Sequence, residues 1–420
     1  MKNTLRYLLD AVLVAVLAAF AGSGLVRAAG GPNNGTSEYR VLAPIESGHL
    51  LLFPVVRGSG EAPAETPFIT LDEGIKSGEV EVTEAGNVRG LVRPRGAAND
   101  HYFAQQRNSV RGDQVNTLVL VNHSKKPLLL LAGEIVTGGK QDRVIAKDRI
   151  VPPNADPIDL SVFCIEPGRW TGASDNFGAS NKSSAESFMV QPSVRVNAMA
   201  KKDQQEVWNS VHGTISQMQV VASAPASVGS VSETVTVTGA AIGGALSTSS
   251  YAQAINNDAI KAKVDEAAAP ANEDRAKVLE KLREEHAVGV VVAVHGKLIW
   301  ADLFANTDLL SRYWTKLVRS YAAESVTETG DHDAPSVADA QRFLVSATGT
   351  HVTSEGDTGV YRYSELHGDM IETFILESLL PNTNYGVHIS MMKLRDGGES
   401  AWRESPPSPR PNFIPVEPIR

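Results

Sequence analysis

VGVVVAVHGKLIWADLFANTDLLSRYWTKLVRSY, residues 288–321, decides the fold. VGVVVAV (288–294) and KLIWADLF (297–304) are β-branched and apolar, and His295-Gly296 between them is a compact hairpin turn. Asn306-Thr307-Asp308 then supplies helix-capping residues. After the cap the period changes from two to about four. Leu309, Tyr313, Leu317 and Tyr321 form one row, and Leu310, Trp314 and Val318 form a second beside it. This spacing predicts a long amphipathic helix near 307–322, with its apolar stripe packed on the preceding hairpin.

Outward from this unit, strand-like runs dominate. YRVLAPI (39–45) and HLLLFPVV (49–56) read as two strands joined by a turn at Glu46-Ser47-Gly48. FITL (68–71) and VEVTE (80–84) are short strands, and PIDLSVFCIE (157–166) is a longer one. NTLVLVN (116–122) and PLLLLAGEIV (127–136) flank His123-Ser124-Lys125-Lys126, which predicts a hairpin. Residues 204–218 carry Val207, Trp208, Val211, Ile215 and Met218 at helical spacing. NEDRAKVLEKLREEH (272–286), after Pro270, is a charged helix. Residues 335–395 offer one more helix (ADAQRFLVSA) and strands at 359–363, 370–378 and 384–394. That region either closes the same sheet system or forms a small second domain. The fold class is α+β, with a mostly antiparallel sheet core and packed helices.

The ends and one internal stretch differ in composition. Lys2 and Arg6 precede the apolar AVLVAVLAAFA (11–21), and Val26-Arg27-Ala28 has the small-residue spacing of a cleavage site. Residues 1–28 therefore read as a signal peptide, so the chain is expected to be exported, periplasmic or secreted. An uncleaved N-terminal anchor is the alternative; if cleavage occurs, no stable membrane insertion is expected. Residues 29–38 form a Gly/Asn linker, and 39–395 the α+β domain. The stretch 220–250 is a low-complexity Ser/Ala/Gly/Thr/Val insertion, and 396–420 belongs to a proline-rich tail, read as disordered.

The 420-residue chain carries 48 acidic and 39 basic side chains, a formal charge of −9. Such a balance offers no broad phosphate-neutralising surface, so nucleic acid is not an expected partner. Cys164 is the one cysteine, which excludes an internal disulfide and multi-cysteine metal sites. His123, His295, His351 and His367 show no metal-ligand spacing, and neither metal nor cofactor is expected.

Candidate chemistry lies in two clusters. In GEIVTGGKQDR (133–143), Glu134 interrupts an apolar run, and a carboxylate there is costly unless paired. Gly138-Gly139 permits a turn that returns Lys140, Gln141 and Arg143 alongside. Either Glu134 pairs with Arg143 or Arg169, or Glu134, Gln141 and Arg143 converge on a polar ligand. The second cluster, FCIEPGRW (163–170), holds Cys164, Glu166, Arg169 and Trp170. A carboxylate beside the thiol disfavours thiolate, so Cys164 reads as a buried apolar residue. Asp302 sits among apolar residues and reads as a capping or ion-pair residue.

Four motifs, GEIVTGGKQDRVI (133–145), VFCIEPGRW (162–170), QQEVWNSV (204–211) and the opening stretch, resemble in that order the ARG-and-rhodanese-phosphatase-superfamily-associated protein domain. The similarity runs from about Tyr39 to about Tyr321, with a continuation through the strands ending near Leu394. The family is largely uncharacterised biochemically, and its name records genomic association with ADP-ribosylglycohydrolases and rhodanese/phosphatase-type proteins. The resemblance implies ADP-ribose- or nucleotide-related processing and a shared site at Glu134, Gln141, Arg143, Cys164, Glu166, Gly168, Arg169 and Trp170. Asp142 stands where the family more often has asparagine. Most members look cytoplasmic, and export argues against the ADP-ribose connection.

The functional expectation is an exported domain binding a small polar, anionic or sugar-like ligand in a cleft. Glu134, Gln141, Arg143, Arg169 and Trp170 would contact the ligand, with Glu166 alongside. The alternatives are a hydrolase of a glycosidic or phosphate-containing, ADP-ribose-like bond with Glu134 and Glu166 as its acid/base pair, and a module for a cell-envelope protein partner.

Overall fold

The computed structural model describes residues 39–58, 66–84, 118–168, 177–178, 188–223, 247–272, 275–330, 332–346, 351–368, 370–381, 383 and 385–394. The signal peptide, the linker, most of the 220–250 insertion, Arg169, Trp170 and the 396–420 tail lie outside them.

The first strands are β1 (Tyr39–Val41), β2 (Ile45–Ser47), β3 (Leu50–Arg57) and β4 (Ile69–Thr70), followed by α1 (Leu71–Ser77) and β5 (Val80–Glu84). Short strands follow: β6 (Leu118–Asn122), β7 (Leu128–Leu130), β8 (Ile135–Gly138), β9 (Arg143–Ile145) and β10 (Arg149–Val151). Next come β11 (Ile158–Leu160), β12 (Val162–Cys164) and β13 (Phe177–Gly178). Helices occupy the middle: α2 (Pro192–Val196) running into a π-helical turn at Asn197–Lys201, α3 (Gln204–Ser223), α4 (Tyr251–Ile255), α5 (Asp258–Asn272) and α6 (Arg275–Glu284). The hairpin β14 (Ala287–Val294) and β15 (Lys297–Phe304) leads into α7 (Thr307–Thr327) and α8 (Val337–Val345). Strands β16 (His351–Asp357), β17 (Tyr361–His367), β18 (Ile371–Ser378) and β19 (Gly386–Lys393) complete the series.

One nine-stranded antiparallel sheet, ordered β1-β3-β14-β15-β19-β18-β17-β16 with β2 beside β3, is the frame. The strands after residue 350 therefore join the same sheet as β14 and β15, through the β15–β19 pair. Three smaller sheets, β10-β7-β4, β11-β6-β5 and β12-β9-β8-β13, are built from residues 69–178. The architecture is α+β and mostly antiparallel, with the parallel β4–β7 pair as an exception.

The β14–β15 hairpin and α7 form as the sequence predicts. The Asn306 side chain accepts from Leu309 N at 3.0 Å, which caps the helix. Both apolar rows of α7 are fully buried. The helix is buried beyond the face it turns to the hairpin: Tyr313 Oη donates to Leu129 O and Trp314 Nε1 to Ala271 O, each at 3.1 Å. It thus ties the large sheet to β7 and α5. Burying each such aromatic or leucine stabilises the fold by about 1.5–3 kcal/mol.

Four expectations are corrected. The run 127–136 is not one strand, because Gly133 at φ +94° breaks it into β7 and β8, which belong to different sheets. Residues 116–136 likewise form no hairpin: β6 pairs with β5 and β11, while β7 pairs with β10 and β4. Residues 68–71 hold only a two-residue strand before α1, which a Thr70/Glu73 capping box starts. Residues 157–166 also split, into β11 and β12.

Candidate functional site

The β8–β9 hairpin carries GGKQDR. Gly138 (φ +134°) and Gly139 (φ +49°) make its turn, and a side chain at Gly139 would collide with Phe177 of β13. Lys140 N donates to Glu84 Oε1 at 3.1 Å, fixing the tip against β5. Asp142 is the hub behind the tip. Its Oδ1 accepts from Gly138 N at 3.1 Å, its Oδ2 from Ser250 Oγ at 3.0 Å, and its own N–H donates to Glu166 Oε2 at 3.1 Å. Arg143 turns Nη1 back onto Gln141 O at 2.6 Å. The Gln141 amide is fully buried, and its Nε2 has no hydrogen-bond partner among the described residues.

Gln141, Arg143, Cys164 and Glu166 are therefore brought together, all of them buried. Cys164 pairs with Arg143 across β12–β9, and its N–H and C=O are both bound by the Gln204 amide of α3 at 2.9 Å. Burial pushes the thiol pKa up; Arg143 opposes the shift and Glu84 adds to it. Such a thiol is held neutral, as expected of a buried apolar cysteine.

Glu134 faces elsewhere. Its Oε2 accepts from Leu131 N at 2.7 Å, and its Oε1 from Lys316 Nζ of α7 at 2.6 Å. In place of Arg143, one of the two pairing partners expected, Glu134 takes a lysine distant in sequence; Arg169, the other, lies outside the described residues. Asp72 of α1 also pairs with Lys316, so two carboxylates share one buried ammonium. Burial raises the Glu134 carboxyl above its usual range; Lys316 opposes this and Asp72 adds to it. Burial pulls Lys316 down, but the two carboxylates outweigh it and the net shift is upward.

A second buried network lies beneath. Arg195 of α2 forks onto Asp302 of β15, Nη1 to Oδ2 at 3.0 Å and Nη2 to Oδ1 at 3.2 Å, and covers the Trp300 ring at 4.5 Å. His388 of β19 bridges Asp302 (3.1 Å) and Asp148 (2.6 Å). Ser390 and Tyr321 also bond Asp302. Burial alone would lower the His388 pKa, but Asp148 and Asp302 outweigh it and raise it to about 9. Burial likewise acts to raise the Asp302 carboxyl, and Arg195 and His388 reverse this, leaving it well below the usual carboxylate range. Asp302 is thus an ion-pair residue, and all members of the network are closed off from solvent.

An open groove of about 500 Å³ lies between α1, the loop before β7 and the N-terminal turn of α7. Phe68 and Ile69, both largely buried, give it a small apolar side, with Glu73, Glu79, Lys126 and Arg312 around them. Arg312 is fully engaged: Nε donates to Glu73 Oε1 at 3.0 Å, Nη2 to Phe68 O at 2.8 Å, and Asp308 lies 3.7 Å from Nη1. The Lys316–Asp72–Glu134 triad, with Asp72 half-buried and the other two buried, sits one helical turn along α7 and one residue along α1 from the Arg312–Glu73 pair. Glu134 therefore helps fix the two helices that form the groove.

Sequence reasoning missed Arg195, His388 and Asp148. Arg195 and His388 carry the signal used for Glu134 and Asp302, a polar residue inside an apolar run. Lys316 was hidden between the two rows of α7, and Asp142 was noted only as a departure from the family pattern. Among the described residues no three His, Cys, Asp or Glu side chains are placed to hold a metal ion, and no helix is long and apolar enough to cross a membrane.

No curated protein and no solved structure gives a significant match to the chain. One family model does match, from residue 38 to residue 392, which covers the large sheet, the three small ones and both buried networks. The match extends past the 39–321 part that carries the sequence motifs and takes in β16–β18 and nearly all of β19, so the chain belongs to the family of the ARG and Rhodanese-Phosphatase-superfamily-associated Protein domain.

Proposed function

We propose that this chain is an exported binding domain that takes a small polar ligand, anionic or sugar-like, in the groove between α1 and α7. The observation that carries this reading is the contrast in access. The groove is open, with an apolar side and charged groups around it, whereas Glu134, Gln141, Arg143 and Glu166 are buried. A volume of a few hundred Å³ is within the usual range of small-ligand sites. In this reading the family motifs hold the frame, and the helices they anchor hold the ligand. Export rests on the N-terminal 1–28 pattern.

The hydrolase reading has less support. Both carboxylates are buried, and each is committed to a different partner, Glu134 to Lys316 and Glu166 to the Asp142 N–H.

A thermal-shift panel of ADP-ribose, nucleotides, acidic sugars and dipeptides tests the proposal, run on wild type and on Ser77→Trp, which fills the groove. A ligand at about 100 times its Kd should stabilise wild type by about 2.7 kcal/mol, a rise of several degrees, and should leave Ser77→Trp unchanged. Equal shifts in both proteins, or none in wild type, would rule the groove out. Fractionation of expressing cells tests export: retention of the full-length chain in the cytoplasm would refute it.

A further inference from the structure

The charges around the groove divide into those already satisfied and those still available. Arg312 and Glu73 neutralise each other through a forked pair, and Asp308 lies beside them at the N-terminus of α7. Two groups remain. The Lys126 ammonium is exposed and has no ion pair among the described residues. Among the described residues the Glu79 carboxylate accepts only from the Ser77 hydroxyl, at 3.0 Å. Both line the same groove, yet they do not pair with each other. Two opposite charges left apart beside an apolar surface match a ligand that carries both charges on one short frame.

On the reading of the groove as a ligand site, we infer that its ligand is a zwitterion of the amino-acid or short-peptide class. Its carboxylate meets Lys126, its ammonium meets Glu79, and an apolar side chain lies on Phe68 and Ile69. The Arg312–Glu73 pair serves as a fixed wall and spends no charge on the ligand. Charge-assisted hydrogen bonds at both ends set the orientation, and the separation of Lys126 from Glu79 selects ligand length.

The test uses alanyl-phenylalanine, its N-acetyl form and its C-terminal amide, titrated calorimetrically into the full chain. The free dipeptide should bind about five- to tenfold more tightly than either capped form. Glu79→Gln should weaken the free dipeptide and the amide but leave the N-acetyl form unchanged. Lys126→Gln should weaken the free dipeptide and the N-acetyl form but leave the amide unchanged. Both positions are exposed, so neither variant threatens folding. Equal binding of all three peptides, or equal weakening of all three by either variant, overturns the inference. If no dipeptide binds while a sugar or nucleotide still shifts wild type and not Ser77→Trp, the zwitterion is wrong and the groove stands. If Ser77→Trp alters no ligand response, the groove itself fails.

Discussion

Lys316 Nζ lies 2.6 Å from Glu134 Oε1, across 182 residues of sequence, and Asp72 closes on the same ammonium. This contact explains why a glutamate interrupts an apolar run. Removing one partner leaves buried charge unpaired, at a cost of about 3–5 kcal/mol. Lys316→Met is therefore expected to lower unfolding free energy by about that amount in urea titrations. Lys316→Met with Glu134→Leu should recover most of the loss, because no unpaired buried charge remains at Glu134. Equal destabilisation in the single and double variants would show that the pair is not the cause.

His388 gives the fold a pH dependence. Its folded pKa, about 9, exceeds the unfolded value near 6.5, so its stabilisation is complete below pH ~6.5 and is lost as pH rises through 9. Wild-type stability should fall by roughly 2–4 kcal/mol between pH 6.5 and 9.5. In His388→Gln that slope should flatten. Asp302 acts in the opposite sense: its depressed pKa contributes stability above pH ~4 that is lost on acidification. Denaturation curves at four pH values would separate the two, and an unchanged slope in His388→Gln would contradict the assignment.

Gly133→Ala should be among the most damaging small substitutions. At φ +94° a Cβ is strained, and it would lie 2.7 Å from the Arg195 side-chain carbons. Strain and displacement of Arg195 from Asp302 together predict a loss of about 2–4 kcal/mol, read as a fall in the urea midpoint. A midpoint within error of wild type would mean that the turn relaxes freely.

Cys164 should resist alkylation. Buried and with its pKa raised, the thiol should react with a disulfide reagent at pH 8 only after denaturant is added. Prompt labelling of the native protein would restore it as a candidate nucleophile.

The sequence showed clearly the elements whose periodicity local packing enforces. VGVVVAV, KLIWADLF and the two rows of α7 are set by neighbours only a few residues away, and they form as read. PLLLLAGEIV was misread because both of its faces are buried, so no alternation marked the break at Gly133. α5 escaped notice because Ile260, Val264, Ala268 and Ala271 hold the right spacing but two of them are alanines, with Pro270 in the last turn. The capping box at Thr70 and Glu73 was readable and passed over. The partners of Glu134 and Asp302 were not readable, because Lys316, Arg195 and His388 reach them only through tertiary folding. The groove was invisible for the same reason: Lys126, Glu79 and Arg312 meet only when α7 docks against α1.

On the proposed reading, ligand is taken in the open groove while the GGKQDR hairpin supports the fold. Gln141→Leu removes a buried donor with no acceptor among the described residues and one long contact, 3.5 Å, from Arg143 Nη1 to Oε1, so it should leave stability about equal. The decisive measurement is the ligand-induced melting shift of Gln141→Leu beside that of Ser77→Trp, using whichever panel ligand stabilises wild type. The account predicts a full shift in Gln141→Leu and none in Ser77→Trp. A shift lost in Gln141→Leu and kept in Ser77→Trp would place the site at the hairpin and contradict it.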